Sequence, residues 1–253
     1  MTEGLINSPA AGFRAAIEGL RIITRPGLRR FVAIPFLINL VVFSALVWFA
    51  GDRFELLLDR WLPEDSWLSW FRWILWPLFA AALVLVLFFT FTLVANLLGA
   101  PFNDMLSARV EAMLTGQAPD DGGSSILAAV GPAMRSELQK IAYFLPRAVP
   151  LLVLFVIPGV QALAPLIWGV FSAWSLALEY AEYPFGNNGI GFRRQREVMK
   201  RRRLTALGFG AGLMLLMLIP GINFVAMPAA VAGGTLLWVN RFKAAAADLS
   251  ENG

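Results

Sequence analysis

Arg25-Pro26-Gly27-Leu28-Arg29-Arg30 runs directly into Phe31-Val32-Ala33-Ile34-Pro35-Phe36-Leu37-Ile38-Asn39-Leu40, and this junction decides the fold. Charged residues are frequent before it. After it begins an uncharged stretch of roughly twenty residues, about the length that spans a bilayer core. A proline just inside a helix start, followed by glycine and paired arginines, leaves several backbone N–H groups without intrahelical partners beside fixed positive charge. That is the chemistry of an oxyanion site, and the same residues also suit a topology anchor at a membrane edge.

Composition points the same way. The chain has 253 residues, 58% of them hydrophobic and 15% charged, and a mean hydropathy of +0.67, outside the range of ordinary soluble domains. An all-α integral membrane protein is expected. The sequence pI near 10.0 comes from clustered Lys and Arg. Basic runs abutting uncharged ones fit cytoplasmic flanks and contacts to membrane lipids, so no nucleic-acid partner is expected. With no cysteine and no histidine, thiol nucleophiles, disulfides, His-ligated metals and histidine general bases are excluded together. Neither a metal site nor a cofactor is expected. Residues 1–30 lack an apolar core of signal-peptide length, and the N-terminus is expected to stay on the mature protein.

Along the chain, Phe13, Ala16, Ile17, Leu20 and Ile23 recur at three- and four-residue steps opposite Arg14, Glu18 and Arg21. This predicts an interfacial amphipathic helix over residues 9–24. A first transmembrane helix is expected over 26–50, kinked at Pro35. The acidic segment 51–66 is expected as an external loop, with Trp61, Trp67, Trp70, Trp73 and Trp76 at the interface. Residues 73–102 carry no charge and predict a second spanning helix. A cytoplasmic helical region follows over 103–147, containing a turn-rich segment at 116–125 and a helix over about 125–143.

Two further apolar blocks, 148–178 and 204–240, look like weak internal repeats, with Ile157-Pro158-Gly159 in the first and Ile219-Pro220-Gly221 in the second. Proline removes a backbone donor and glycine permits a tight turn, so each block is expected as a hemi-penetrating helical hairpin. Charge supports this. The linker 179–203 holds Arg193, Arg194, Arg196, Lys200, Arg201, Arg202 and Arg203 and should be cytoplasmic, as should 103–147 after two crossings. The first block must then begin and end on one face. Residues 241–253 form a short tail. The whole is expected as a single membrane domain of two long transmembrane helices plus two Pro-Gly-broken hairpins.

Three constellations carry candidate chemistry. Gly27, Leu28, Arg29 and Arg30 suit a small tetrahedral dianion, because helix-terminal N–H groups and guanidinium forks match it. Asp104, Arg109 and Glu111 lie on one helix leaving the membrane, with Asp104 and Glu111 on a shared face, and could form a charge network along a pore. The run from Glu179 to Phe192 is turn-rich and polar between two apolar blocks.

In its order of motifs the sequence resembles the CysZ family of bacterial sulfate transporters, within the wider superfamily of etoposide-induced-protein-like membrane proteins. The resemblance covers nearly the whole chain. It rests on Gly27-Leu28-Arg29, on Met105 to Glu111, on Tyr180 to Phe192, on Arg202-Arg203 with Leu207-Gly208-Phe209-Gly210, and on Pro228 to Trp238. Ala108 stands where the family commonly has Glu, and Glu182 where it commonly has Asp. The resemblance implies a multi-pass protein of the bacterial inner membrane that admits sulfate for cysteine biosynthesis, as a homo-oligomer. It places the sulfate contacts on Gly27, Leu28 and Arg29, with Arg30 as neighbour, and leaves other tetrahedral oxyanions such as sulfite open as substrates.

No P-loop is present, so ATP-driven transport by this chain alone is not expected, and channel and carrier both stay open. A membrane scaffold or regulator of sulfate assimilation is the alternative. A membrane phosphatase or transferase would use Asp104, Glu111, Glu179 and Glu182, but without histidine no nucleophile–base pair is visible, and an enzyme is not expected.

Overall fold

The computed structural model describes residues 7–62, 69–119 and 126–251, and these are helical with no strands among them. The helices are α1 (Pro9–Ile22), α2 (Arg29–Trp61), α3 (Arg72–Thr115), α4 (Ile126–Val153), α5 (Ala164–Asn187), α6 (Phe192–Arg201), α7 (Arg203–Met217), α8 (Asn223–Leu237) and α9 (Lys243–Glu251). A π-helical turn, Trp238–Phe242, joins α8 to α9. The chain divides into two units, Met1–Arg29 with Asn103–Gly253, and Arg30–Phe102.

Among the described residues three segments are long and apolar enough to cross a membrane: Arg29–Trp61, Ser69–Leu87 and Met134–Val156. Two long spans were expected. The third arises because the helix expected to close near Tyr143 and the arm expected from Ala148 are one helix, α4, which passes Pro146 and Pro150 unbroken. A proline in an apolar helix costs one backbone bond and a local adjustment, which packing tolerates. The first span also differs. Residues 51–61, expected as loop, continue α2, because Arg, Glu and Leu are good helix formers and no proline intervenes before Pro63. Asn103 to Thr115 prolongs α3 as expected.

In the smaller unit, Phe31 and Leu58 are the buried residues of α2, and Leu37, Trp48, Trp73, Leu78 and Val84 are exposed. Such surfaces are stable in lipid rather than water. Asp59 accepts from Arg72 Nη2 at 2.6 Å, and Phe54 stacks on Phe79 with centroids 3.9 Å apart. These contacts tie α2 to α3 near the 63–68 segment, which lies outside the described residues.

The larger unit is built on close backbone approach. α1 packs against α7 and α8, and α5 against the same two helices. A Cβ on Gly12 would meet the Thr205 carbonyl, and one on Gly19 the Ala229 carbonyl. The buried face of α1 is therefore Gly12, Ala15, Ala16, Gly19 and Ile22, whereas Phe13, from the expected stripe, is exposed. Small residues let helix backbones touch, and dispersion then holds them where hydrophobic driving force is weak. Around this seam lie Phe185, Phe192, Phe209, Leu213 and Phe242, all fully buried.

After α4 the chain passes a short 3-10 turn, Leu154–Val156, and a turn with Gly159 at φ 84° before α5. Between α7 and α8 the matching turn has Gly221 at φ 87°. α5 does not end at residue 178. It runs to Asn187 through Pro184, so Glu179 to Asn187, expected as loop, is helix. Proline blocks only one donor there, and packing of Ala181, Pro184 and Phe185 into the core holds the turn.

Candidate functional site

The turn after α1 is organised by local hydrogen bonds. Arg25 N–H donates to Ile22 O at 3.0 Å and Leu28 N–H to Arg25 O at 3.1 Å, while Thr24 Oγ1 donates to Arg21 O at 2.7 Å. Gly27 has φ 88°, a conformation that side chains other than hydrogen rarely tolerate, and open space lies where its Cβ would be. Among the described residues no carbonyl accepts the Gly27 N–H. Leu28 is buried and anchors the turn, and its own N–H is spent within it. Arg29 Nε donates to Thr24 O, which fixes that guanidinium across the turn. Arg25 Nη1 reaches Met113 Sδ at 3.9 Å, so the turn sits against the end of α3. Arg30 opens the other unit, and its guanidinium lies over the Phe31 ring at 5.0 Å.

On α3 the structure separates the expected charge network. Glu111 is 1% exposed, whereas Asp104 and Arg109 are exposed, and Arg109 has no ion pair among the described residues. Helix geometry does put Asp104 and Glu111 on one face, but only the Glu111 level is closed over. Glu111 accepts from Asn188 Nδ2 at 2.8 Å, from Trp238 Nε1 at 3.1 Å and from Lys243 Nζ at 3.0 Å. Trp238 and Lys243 are five residues apart, which on an α-helix would turn them to different faces. The π-turn restores the phase. Asn103 and Ser107, each four residues further back, are also buried, and Ser107 Oγ meets Thr235 Oγ1 at 2.9 Å. Buried polar groups at i, i+4 and i+8 form one polar stripe on an otherwise apolar helix. Sequence reasoning found Glu111 and missed Asn103 and Ser107, although their four-residue spacing was the available signal.

The Glu179 to Phe192 run closes on this stripe. Asn187 Nδ2 donates to Asp104 O at 3.0 Å, and the Asn103 side chain stands beside the Tyr183 phenol. Beside it Glu182 accepts from Lys140 Nζ at 2.5 Å and from Ser136 Oγ at 3.0 Å, and Lys140 also pairs with Glu137 at 2.6 Å. Asp104 is exposed as a residue, but partial burial of its carboxyl, and secondly the Glu182 carboxylate, push it up to about 6. Burial also pushes the Tyr180 and Tyr183 phenols up to about 12, so both stay hydrogen-bond donors. Among the described residues no group of acidic side chains could hold a metal ion.

A raised folded-state pKa means that the folded chain holds a proton on Asp104 that the unfolded chain releases. Its stability contribution is complete below about pH 4 and lost as pH rises through about 6. Asp104→Asn is therefore expected to raise the unfolding midpoint in detergent at neutral pH, with the gain shrinking to nothing near pH 4. A pH-independent gain would remove the assignment.

Long apolar helices carrying a buried polar stripe and a basic turn at the start of a membrane-length helix define a multi-pass helical membrane protein. The family model described as Sulfate transporter CysZ/Etoposide-induced protein 2.4 matches residues 15–228, and the chain belongs to this family. The protein named Sulfate transporter CysZ of Pectobacterium atrosepticum is 42% identical over 246 residues, covering 94% of this chain and 88% of that protein. Its namesake in Pseudomonas aeruginosa is 44% identical over 225 residues, covering 88% of this chain and 92% of the relative. The namesake in Pseudomonas paraeruginosa matches to the same extent.

Proposed function

We propose that this chain mediates sulfate uptake across the bacterial inner membrane, supplying cysteine biosynthesis, and that it binds the oxyanion at the turn from Gly27 to Arg30. The observation that carries the reading is the Gly27 turn, where an N–H with no acceptor among the described residues stands beside an arginine fixed by the Thr24 carbonyl. Helix-start N–H groups and guanidinium donors favour a tetrahedral dianion. Membership of the family and relatives named as sulfate transporters support the substrate. The turns at Gly159 and Gly221 support hemi-penetrating hairpins, and the exposed apolar faces of α2 and α3 support burial in lipid or against further copies of the chain. On this reading the buried stripe on α3 positions the turn through Arg25 and Met113, and the chain catalyses no covalent step.

Titration calorimetry of the purified chain with sulfate, with chloride and phosphate as controls, tests this. Saturable sulfate binding is expected. Arg29→Ala should weaken it by about 1.5–3 kcal/mol, or roughly ten- to a hundredfold, and Arg30→Ala by less. Equal and negligible effects would remove the site. No binding by folded wild type would favour a scaffold or regulator of sulfate assimilation.

A further inference from the structure

A cavity of about 580 Å³ lies within the larger unit, walled by α4, α5, the end of α6 and the start of α7. Its floor is apolar, with Leu151, Leu166, Ile167 and Val170, and Leu166 and Val170 are more than half exposed. At one end stand Arg147, Lys200 and Arg203. Arg147 is held against Tyr143, with its guanidinium 4.0 Å from the ring centroid and Nη1 donating to Tyr143 O at 2.6 Å. Trp174 Nε1 in turn donates to Tyr143 Oη at 3.1 Å, which fixes the ring. Lys200 and Arg203 have no ion pair among the described residues. One wall, α4, includes a segment long and apolar enough to cross a membrane.

We propose that this cavity binds an acidic phospholipid, its phosphate on Lys200 and Arg203 beside the positioned Arg147, and an acyl chain along Leu151, Leu166 and Val170. The volume falls in the range of built ligand sites. A soluble oxyanion would use the basic end and leave the apolar floor in water. A neutral lipid would leave the cations without counter-charge. An anionic head on an acyl chain satisfies both ends, and basic clusters at a membrane edge attract acidic headgroups.

The test is native mass spectrometry of the full-length chain in detergent, delipidated and then titrated with phosphatidylglycerol, phosphatidylcholine or inorganic phosphate. Discrete phosphatidylglycerol adducts are expected, with weaker phosphatidylcholine and no phosphate adducts. The paired substitution Lys200→Gln with Arg203→Gln should weaken phosphatidylglycerol binding roughly tenfold or more. Val170→Trp, which fills the floor without touching charge, should weaken it as well. Monodispersity and helical circular dichroism identify variants that fold. Equal binding of the two lipids, retention by both folded variants, or phosphate binding that competes with phosphatidylglycerol each overturns the proposal.

Discussion

Gly210→Ala is expected to destabilise the protein more than any other single methyl addition to α5 or α7. A Cβ at Gly210 would lie 1.7 Å from the Ala173 carbonyl oxygen and 2.5 Å from its carbon, both backbone atoms that no rotamer change can move. α5 and α7 would have to separate, opening the seam where Ala173 and Gly210 are buried. Overpacking of this kind costs about 1–3 kcal/mol, and a clash between backbones belongs at the upper end. Gly169→Ala is the matched control on α5, since open space surrounds its Cβ position. It is expected to be neutral or to stabilise by up to about 1 kcal/mol through helix propensity. Thermal unfolding of both variants in one detergent decides the matter. Equal midpoints would mean that the two helices are not in backbone contact.

Glu111→Ala is the second large effect. The carboxylate is 1% exposed and takes three donors, of which Trp238 is itself buried. Truncation strands the indole N–H and deprives Lys243 of its partner, while the Asn188 amide keeps its bond to the Pro184 carbonyl at 2.9 Å. Lys243 is half exposed and regains water, which holds the cost below that of a fully buried pair. About 3 kcal/mol is expected. Glu111→Gln keeps an acceptor and should lose less. Arg109→Ala, on the same helix but exposed and unpaired, should change the midpoint little. If Glu111→Ala behaves like Arg109→Ala, the carboxylate does not organise the π-turn.

Much of this architecture was legible because membrane helices announce themselves through uncharged length. The stretch after Arg30 and the stretch from Trp73 required only that every backbone polar group be satisfied within the helix. Helix ends were less legible. Pro146, Pro150 and Pro184 look like breakers in isolation, yet each sits inside a helix whose packing outweighs one missing donor. The buried face of α1 escaped for a different reason. Hydrophobic periodicity weighs large side chains, whereas close packing selects Gly12, Ala15 and Gly19, which carry little hydrophobic signal.

In the candidate site, Glu111 was legible because a carboxylate beside a membrane segment needs a partner. The partners were not, since Asn188, Trp238 and Lys243 lie far along the chain and only the fold unites them. Trp238 had appeared merely as the end of a family-like motif, and Lys243 as part of the tail. The turn at Gly27 to Arg30 could be proposed from local chemistry alone, because its donors are consecutive residues.

The π-turn has a consequence for how this chain can change in length. Each residue of an α-helix advances the rotation by about 100°, and the wider turn between Trp238 and Phe242 absorbs one supernumerary residue so that the helix after it keeps the phase of the helix before it. Loss of one residue there would leave composition and hydropathy almost untouched. Trp238 and the lysine would then stand four residues apart, which a regular α-helix keeps on one face, so Lys243 would still meet Glu111 and Ala245 and Ala246 would stay in the core. The C-terminal helix is thus tolerant of a single-codon deletion at the π-turn, which only irons the bulge out, and intolerant of one inside α9, where no surplus residue takes up the change.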